Sequence, residues 1–273
     1  MNTELAKGTA LITGASTGIG AIYADRLAKR GHDLILVARN GQRLMSLARR
    51  IANDTGRTVE TVKADLTSPA DLRRVEEILR TNPAISTLVN NAGVGATDPL
   101  IVSDADKMED MIHLNVTALT RLTYAAAPAF LERGRGTIIN ISSVVAIAPE
   151  VLNGIYGGTK AFVLAFTQSL AHELANQGIR VQAVLPGATA TEFWDIAGKP
   201  VHQLPAQIVM SADNLVDAAL AGLDLGEIVT IPSLADEAEW DRYDAARRGM
   251  SSKLSSSIVA PRYNQHQPRL LSA

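Results

Sequence analysis

A tyrosine and a lysine stand four residues apart in Tyr156-Gly157-Gly158-Thr159-Lys160. On a helix that spacing puts a phenol and an ammonium on one face. A free phenol titrates near ~10, too high to trade protons at neutral pH. A cation beside it stabilises the phenolate, so Lys160 is expected to lower that value and let Tyr156 serve as a general acid or base. Taken alone the pattern is common on amphipathic helix surfaces, and its weight depends on what surrounds it.

A second feature with chemical content is the turn Gly14-Ala15-Ser16-Thr17-Gly18-Ile19-Gly20. It follows an apolar strand-like run and opens a helical stretch, the context in which a glycine-rich turn binds a pyrophosphate. Gly14 permits the tight turn, Gly18 lets the backbone approach the phosphates, and Gly20 lets the helix pack on the sheet. The helix N-terminus offers free N–H groups and a partial positive charge. No Gly-Lys-Ser/Thr follows, which excludes a Walker-type loop.

At the end of the next strand-like run the chain reads Val37-Ala38-Arg39-Asn40. Folds that prefer NAD place an acid here for the ribose 2′-hydroxyl. No acid is present, and Asp33 stands at the wrong end of the run. Arg39 can instead grip a 2′-phosphate through charge-assisted bonds. The expected coenzyme is therefore NADP(H), with NAD the weaker choice.

These residues need elements to hold them in place. Strand-like runs at 9–13, 33–37, 58–63, 86–90, 137–141, 180–185 and 227–231 predict seven strands. Helical spacing predicts helices over 19–30, 40–53, 104–131 and 156–177, and one capped by Ser68 with Pro69 at its first position. Strands apolar on both faces and separated by amphipathic helices mean an α/β fold. It is a doubly wound (Rossmann) parallel sheet of seven strands, with helices on both faces. In such a sheet ligands bind outside the carboxyl ends of the strands. The glycine turn, Arg39, Asn90-Asn91, Ser142-Ser143 and Pro186-Gly187 all fall at such ends, and Ser143 lies 13 residues before Tyr156.

Together Thr13 to Gly20, Asn90-Asn91-Ala92-Gly93, Ser143, Tyr156-x-x-x-Lys160 and Pro186-Gly187 resemble the short-chain dehydrogenase/reductase family, in order and in spacing. The resemblance spans roughly residues 6–232. It implies hydride transfer between a nicotinamide and a carbonyl or secondary alcohol. Tyr156 would be the proton donor or acceptor, and Ser143 would bond the same oxygen. Lys160 would hold the nicotinamide ribose, and Asn115 would hold a water of the proton relay. For the coenzyme it implies Ser16, Thr17 and Ile19 in the turn, Asp65 and Leu66 in the adenine pocket, and Asn91, Ala92 and Gly93 near the adenosine ribose. It also implies Pro186, Gly187, Thr189 and Thr191 at the nicotinamide. Thr189 stands where the family usually has Val or Ile. Gly157 and Gly158, poor helix formers, would open space beside the cofactor.

Composition narrows the remaining choices. The 273 residues are 47% hydrophobic and 20% charged, with a net charge of −2 and no cysteine. This excludes disulfides, zinc-thiolate sites and a cysteine nucleophile. Without a basic excess, and with 4% aromatics, no nucleic-acid partner is expected. The five histidines lack metal-ligand spacing, so no metal is expected. The first residues show no signal peptide, and no run of about 18 apolar residues suggests a membrane span. A cytoplasmic protein is expected.

One domain is expected over 1–273, with a core at about 6–232. The irregular stretch 193–210 would be a substrate lid, and 236–273 a polar C-terminal extension with a helix over 236–248. Phe193, Trp194, Leu152, Asn153 and Val94 are candidates to face the substrate. The resemblance also implies a homodimer or homotetramer, paired through the Tyr156 helix and residues 211–225. Two other readings stay open. One is an NAD-dependent alcohol dehydrogenase. The other is a nucleotide-sensing protein that keeps the fold without turnover, against which stands the presence of Ser143, Tyr156, Lys160 and Asn115 together.

Overall fold

The structure is a computed structural model that describes residues 7–266. The expected N-terminal residues 1–6 and the last part of the tail, 267–273, lie outside the described residues. Two compact units divide the chain, one ending at Ser233 and one beginning at Leu234.

The first unit opens with β1 (Thr9–Thr13), α1 (Gly18–Lys29), β2 (Asp33–Ala38), α2 (Gly41–Thr55), β3 (Val59–Lys63) and α3 (Pro69–Thr81). β4 (Ile85–Asn90), α4 (Ala105–Ile112), α5 (Leu119–Glu132), β5 (Gly136–Ile141), α6 (Gly154–Glu173) and β6 (Ile179–Val184) follow. Then come β7 (Thr189–Ala190), α7 (Phe193–Ile196), β8 (Met210–Ser211), α8 (Ala212–Leu225) and β9 (Val229–Thr230). The expected seven-stranded parallel sheet is present, in the order β3-β2-β1-β4-β5-β6-β9. The chain therefore winds outward from β1 to β3, then returns and winds the other way from β4. The reversal between β1 and β4 opens a crevice at their carboxyl ends.

The central strands β1, β2, β4, β5 and β6 bury both faces, so successive residues feed opposite cores, while the edge strand β3 is largely exposed. Ala10, Ile12, Leu34 and Leu36 join Tyr23, Leu44 and Leu220 under α1, α2 and α8. Leu11, Ile35, Val37 and Leu88 join Val75, Leu122 and Leu170 under α3, α5 and α6. This period of two on strands covered by helices is why the runs read as continuously apolar.

Helix ends differ from the sequence reading for local reasons. Asn40 stands just outside α2 as its cap, its Oδ1 accepting from the Arg43 N–H at 3.0 Å, and Gly56 ends the helix in the left-handed region. α6 begins two residues before Tyr156 because Asn153 caps it, accepting from Ile155 N at 2.9 Å. The long helix expected over 104–131 is three pieces. α4 and α5 are joined through a π-helical turn, His113–Ala118. β7 and β8 are a parallel pair outside the main sheet, too short for periodicity to reveal. The seventh strand is two residues long rather than five.

The second unit contains α9 (Glu237–Gly249), capped by Asp236. The Trp240 and Tyr243 rings lie 5.4 Å apart on it. The helix has no buried residue, so its polar sequence matches its exposure.

Asp25 is the electrostatic pin of the first unit. It is buried on α1 and bonds Arg26 at 2.7 Å and Lys29 at 2.8 Å. Arg26 continues to Asp217 and Asp213 on α8. Burial pushes the Asp25 carboxyl up, but the bonds from Lys29 and Arg26 outweigh it and hold the pKa below its ordinary value. A depressed carboxyl pKa stabilises the fold above the unfolded value, near ~3.9, and that contribution is lost as pH falls through the folded value. Asp25→Asn should cost about 1–3 kcal/mol at pH 7, read by urea unfolding. The gap to wild type should close below about pH 4; a gap that persists there would assign the loss to packing instead.

Candidate active site

A cavity of about 910 Å³ opens at the carboxyl ends of β1, β4, β5 and β6. It gathers residues from distant parts of the sequence. Gly14, Thr17, Gly18 and Ile19 form one wall, and Asn91, Ala92 and Gly93 the next. Ser143, Tyr156 and Lys160 line it together, with Pro186, Gly187, Thr189 and Thr191 opposite.

The glycine turn is shaped by what lies behind it. Gly14 has φ +64°, and a Cβ there would stand 2.8 Å from Asn91 Nδ2. Gly18 has φ +55°, and its Cβ would meet the Thr191 methyl at 3.1 Å. Gly20 does not line the cavity. It sits behind the turn, where a Cβ would collide with the Gly14 carbonyl. Thr13 Oγ1 donates to Val89 O at 3.2 Å and accepts from Asn91 N and Ala92 N at 3.0 Å each. Asn91 Nδ2 returns a bond to Thr13 O at 2.9 Å.

Tyr156 and Lys160 lie one turn apart on α6, both buried. Lys160 Nζ donates to Ile141 O at 2.9 Å and lies 5.8 Å from the centroid of the Tyr156 ring. Ser142 Oγ donates to the Lys160 carbonyl at 2.7 Å and so ties α6 to the end of β5. Ser143 Oγ donates to Pro186 O and accepts from Val145 N, each at 3.3 Å.

The electrostatics differ from the sequence expectation. Burial pushes the Tyr156 phenol up to about 12, with the Ser143 hydroxyl pulling the other way. Burial also pushes Lys160 down, to about 8. Desolvation of each group therefore dominates over the attraction that was expected to lower Tyr156.

Asn115 is in the π-helical turn, 1% exposed, and does not line the cavity. Its side chain is committed to structure. Oδ1 accepts from Val94 N at 3.0 Å, and Nδ2 donates to Val94 O at 2.9 Å and Thr159 Oγ1 at 3.1 Å.

Arg39 lies apart from this cavity. It lines a second pocket at the end of β2 with Asn40, Gly41, Gln42, Met45 and Lys63. No described residue makes a hydrogen bond or ion pair with the guanidinium of Arg39. Lys63 went unnoticed in the sequence because it ends β3, and only the β2–β3 register, Ala38 opposite Lys63, brings it beside Arg39. Asp65 Oδ1 accepts from Thr67 N and Oγ1 at 3.0 and 2.8 Å, and Leu66 is buried in the core. Ser16 does not line either pocket.

Other candidates sort differently. Val94, Leu152, Phe193 and Trp194 line the cavity. Asn153 does not; besides capping α6 it donates to Asp98 O at 2.7 Å. A Cβ on Gly157 would stand 3.3 Å from Pro149 Cβ and one on Gly158 would meet open space, and neither glycine lines the cavity. Phe193 lies 5.8 Å from the Tyr156 ring, and a Cβ on Gly95 would overlap it. Trp194 holds that corner by donating to Thr189 O at 3.0 Å. The expected lid leaves β7 and returns beside it as β8, with Met210 N donating to Ala188 O at 2.9 Å. No group of three or more His, Asp or Glu suited to a metal ion occurs among the described residues.

The profile of the family described as short chain dehydrogenase matches residues 8–200. The chain belongs to that family. A short-chain dehydrogenase from Sphingobium yanoikuyae, solved in complex with NADPH, is 53% identical. The likeness covers 94% of this chain and 99% of that one, with a TM-score of 0.91. A bulky-bulky ketone specific alcohol dehydrogenase from Comamonas testosteroni is 46% identical over 95% of this chain and 99% of its own, with a TM-score of 0.87. Human 17-beta-hydroxysteroid dehydrogenase type 3 is 32% identical over 80% of this chain and 68% of its length. The short-chain dehydrogenases are oxidoreductases that act on hydroxyl and keto groups, and this chain is one of them.

The low pKa of Lys160 carries a testable cost. Its folded value, about 8, lies below the unfolded one near ~10.4, so burying the ammonium destabilises the fold at neutral pH. That cost fades as pH rises from the folded to the unfolded value. Lys160→Met should raise the melting temperature at pH 7, and the gain should vanish by about pH 10. A melting temperature that falls at pH 7 would show that the Ile141 hydrogen bond outweighs desolvation.

Proposed function

We propose that this chain is an NADP(H)-dependent ketone reductase, reversible as a secondary alcohol dehydrogenase, for ketones with bulky apolar groups on both sides of the carbonyl. The observation that carries the proposal is a single cavity that joins the glycine turn to Ser143, Tyr156 and Lys160. Its remaining wall is largely apolar, with Val145, Val151, Leu152, Phe193, Ile208 and Met210 among its residues. The likeness to the Comamonas ketone-specific enzyme supports the substrate class, and the NADPH complex of the Sphingobium relative supports the coenzyme.

The residues present fit a dinucleotide. Gly14 and Gly18 line the cavity with bare backbone, and a side chain is shut out at each, by Asn91 and Ala92 at Gly14 and by Thr191 at Gly18; bare backbone at a helix N-terminus suits a diphosphate. Thr17, Gly18 and Ile19 would hold the phosphates, and Arg39 with Lys63 the 2′-phosphate. Asp65 and Leu66 would flank the adenine, with Asn91, Ala92 and Gly93 beside its ribose. Lys160 would hold the nicotinamide ribose, and Pro186, Gly187, Thr189 and Thr191 the nicotinamide itself. When bound, the nicotinamide supplies or accepts the hydride.

In reduction Tyr156 donates its proton to the carbonyl oxygen. The raised pKa keeps the phenol protonated at neutral pH. Ser143 Oγ stands beside it to bond the same oxygen and steady the developing charge. Burial raises the Tyr156 phenol and lowers Lys160, so proton transfer from the Lys160 ammonium to the phenolate left behind runs downhill. Asn115 has no side-chain proton to spare. Its amide fixes Val94 at the cavity wall. Phe193, wedged over Gly95 and against Tyr156, limits the room on one side of the carbonyl.

The reading includes a homo-oligomer in the cytoplasm. Tyr124 on α5 and Phe162 and Phe166 on α6 stack in a row, at 6.4 and 5.8 Å between centroids. Tyr124 is 69% exposed, and a second copy would cover the row.

Two variants test the reading. Tyr156→Phe should lower kcat at least about 100-fold while NADPH affinity, followed by tryptophan quenching, stays within a factor of about two. Retained turnover would remove the proton-transfer role. Arg39→Asp should weaken NADPH about tenfold or more, the scale of one or two charged hydrogen bonds, and spare NADH. Equal loss for both would assign Arg39 no part in telling the coenzymes apart.

A further inference from the structure

Arg43 and Glu192 form an ion pair at 2.7 Å although 149 residues separate them. Neither end belongs to a core. The side chains are 49% and 54% exposed. Arg43 stands in the first turn of α2, the helix whose start borders the Arg39–Lys63 pocket. Its guanidinium is not part of that pocket's lining and is turned to Glu192 instead. Glu192 lines the main cavity at the start of the lid. Its neighbour Thr191 lies against Gly18 of the glycine turn.

The pair therefore ties the rim at the end of β2 to the rim of the lid. A dinucleotide that reaches both the Arg39–Lys63 pocket and the Tyr156 floor must pass the line drawn by the two side chains. Charge points the same way. An acid beside a turn built for a diphosphate repels the ligand, and a guanidinium at 2.7 Å cancels that repulsion locally.

We propose that Arg43 and Glu192 are a clasp closed across the coenzyme groove, which slows release of the bound dinucleotide. The inference rests on the coenzyme assignment made above. The clasp holds the lid to α2 rather than reading the 2′-phosphate, so it acts on NADPH and NADH alike. Release requires the ion pair to part.

Stopped-flow displacement of NADPH, and separately of NADH, from the full-length protein tests this. Glu192→Gln and Arg43→Gln should each speed release of both coenzymes by about two- to fivefold, the range an exposed ion pair supports. The exchanged pair, Arg43→Glu with Glu192→Arg, should return the rate toward wild type. Salt at about 1 M should bring wild type and variants together. Faster release of NADPH alone would make Arg43 a phosphate ligand and overturn the clasp. Unchanged release, or an exchanged pair as fast as the single variants, would overturn it too. A wild-type protein that binds neither coenzyme would overturn the coenzyme assignment and the clasp with it.

Discussion

The site depends on the bonding of Thr13 to the end of β4. A buried threonine hydroxyl makes three hydrogen bonds there, one given and two received. They fasten the glycine turn to the Asn91–Gly93 segment at the place where the winding of the sheet reverses. A threonine suits that position because one small side chain is both donor and acceptor. Thr13 itself is buried, and an unmet hydroxyl there would be costly.

A second chain of buried bonds runs crosswise. Asn90 Nδ2 donates to Thr123 Oγ1 on α5 and to Asn140 Oδ1 on β5. Asn140 Nδ2 donates to Thr167 Oγ1 on α6. Polar residues in neighbouring strands thus fix α6 against the sheet, and with it Tyr156 and Lys160. Apolar packing alone would allow the helix to slide by small amounts, whereas these bonds have defined lengths and directions. The low-dielectric surroundings that result are also what separate the two pKa values so widely.

Much of the architecture was legible in the sequence because it is periodic. Seven strand-like runs gave the sheet, and the residues at their carboxyl ends gave most of the cavity. Ser143, Tyr156 and Lys160 converge as their spacing required. What sequence could not show arises from contacts between remote elements. Lys63 meets Arg39 only through strand register. Asn115 reads as the holder of a relay water, and only the packing of the π-helical turn shows its amide bonded to Val94 and Thr159. Asn153 looked like a pocket residue because it neighbours Leu152, but its carboxamide is needed to cap α6. The direction of the Tyr156 shift was missed because a sequence displays charges and hides desolvation.

The short β7–β8 pair has a consequence for how such a protein diversifies. It closes the neck of the segment from Thr191 to Val209, so both ends of that segment are held in register beside the cavity. The entropy of closing a loop changes slowly with its length. Beyond Ala197, where no residue up to Val209 is buried, residues can then be added, removed or exchanged with little penalty to the fold. The segment behaves as an interchangeable cassette, and selection can rework the shape of the chamber while the machinery beneath it is inherited intact.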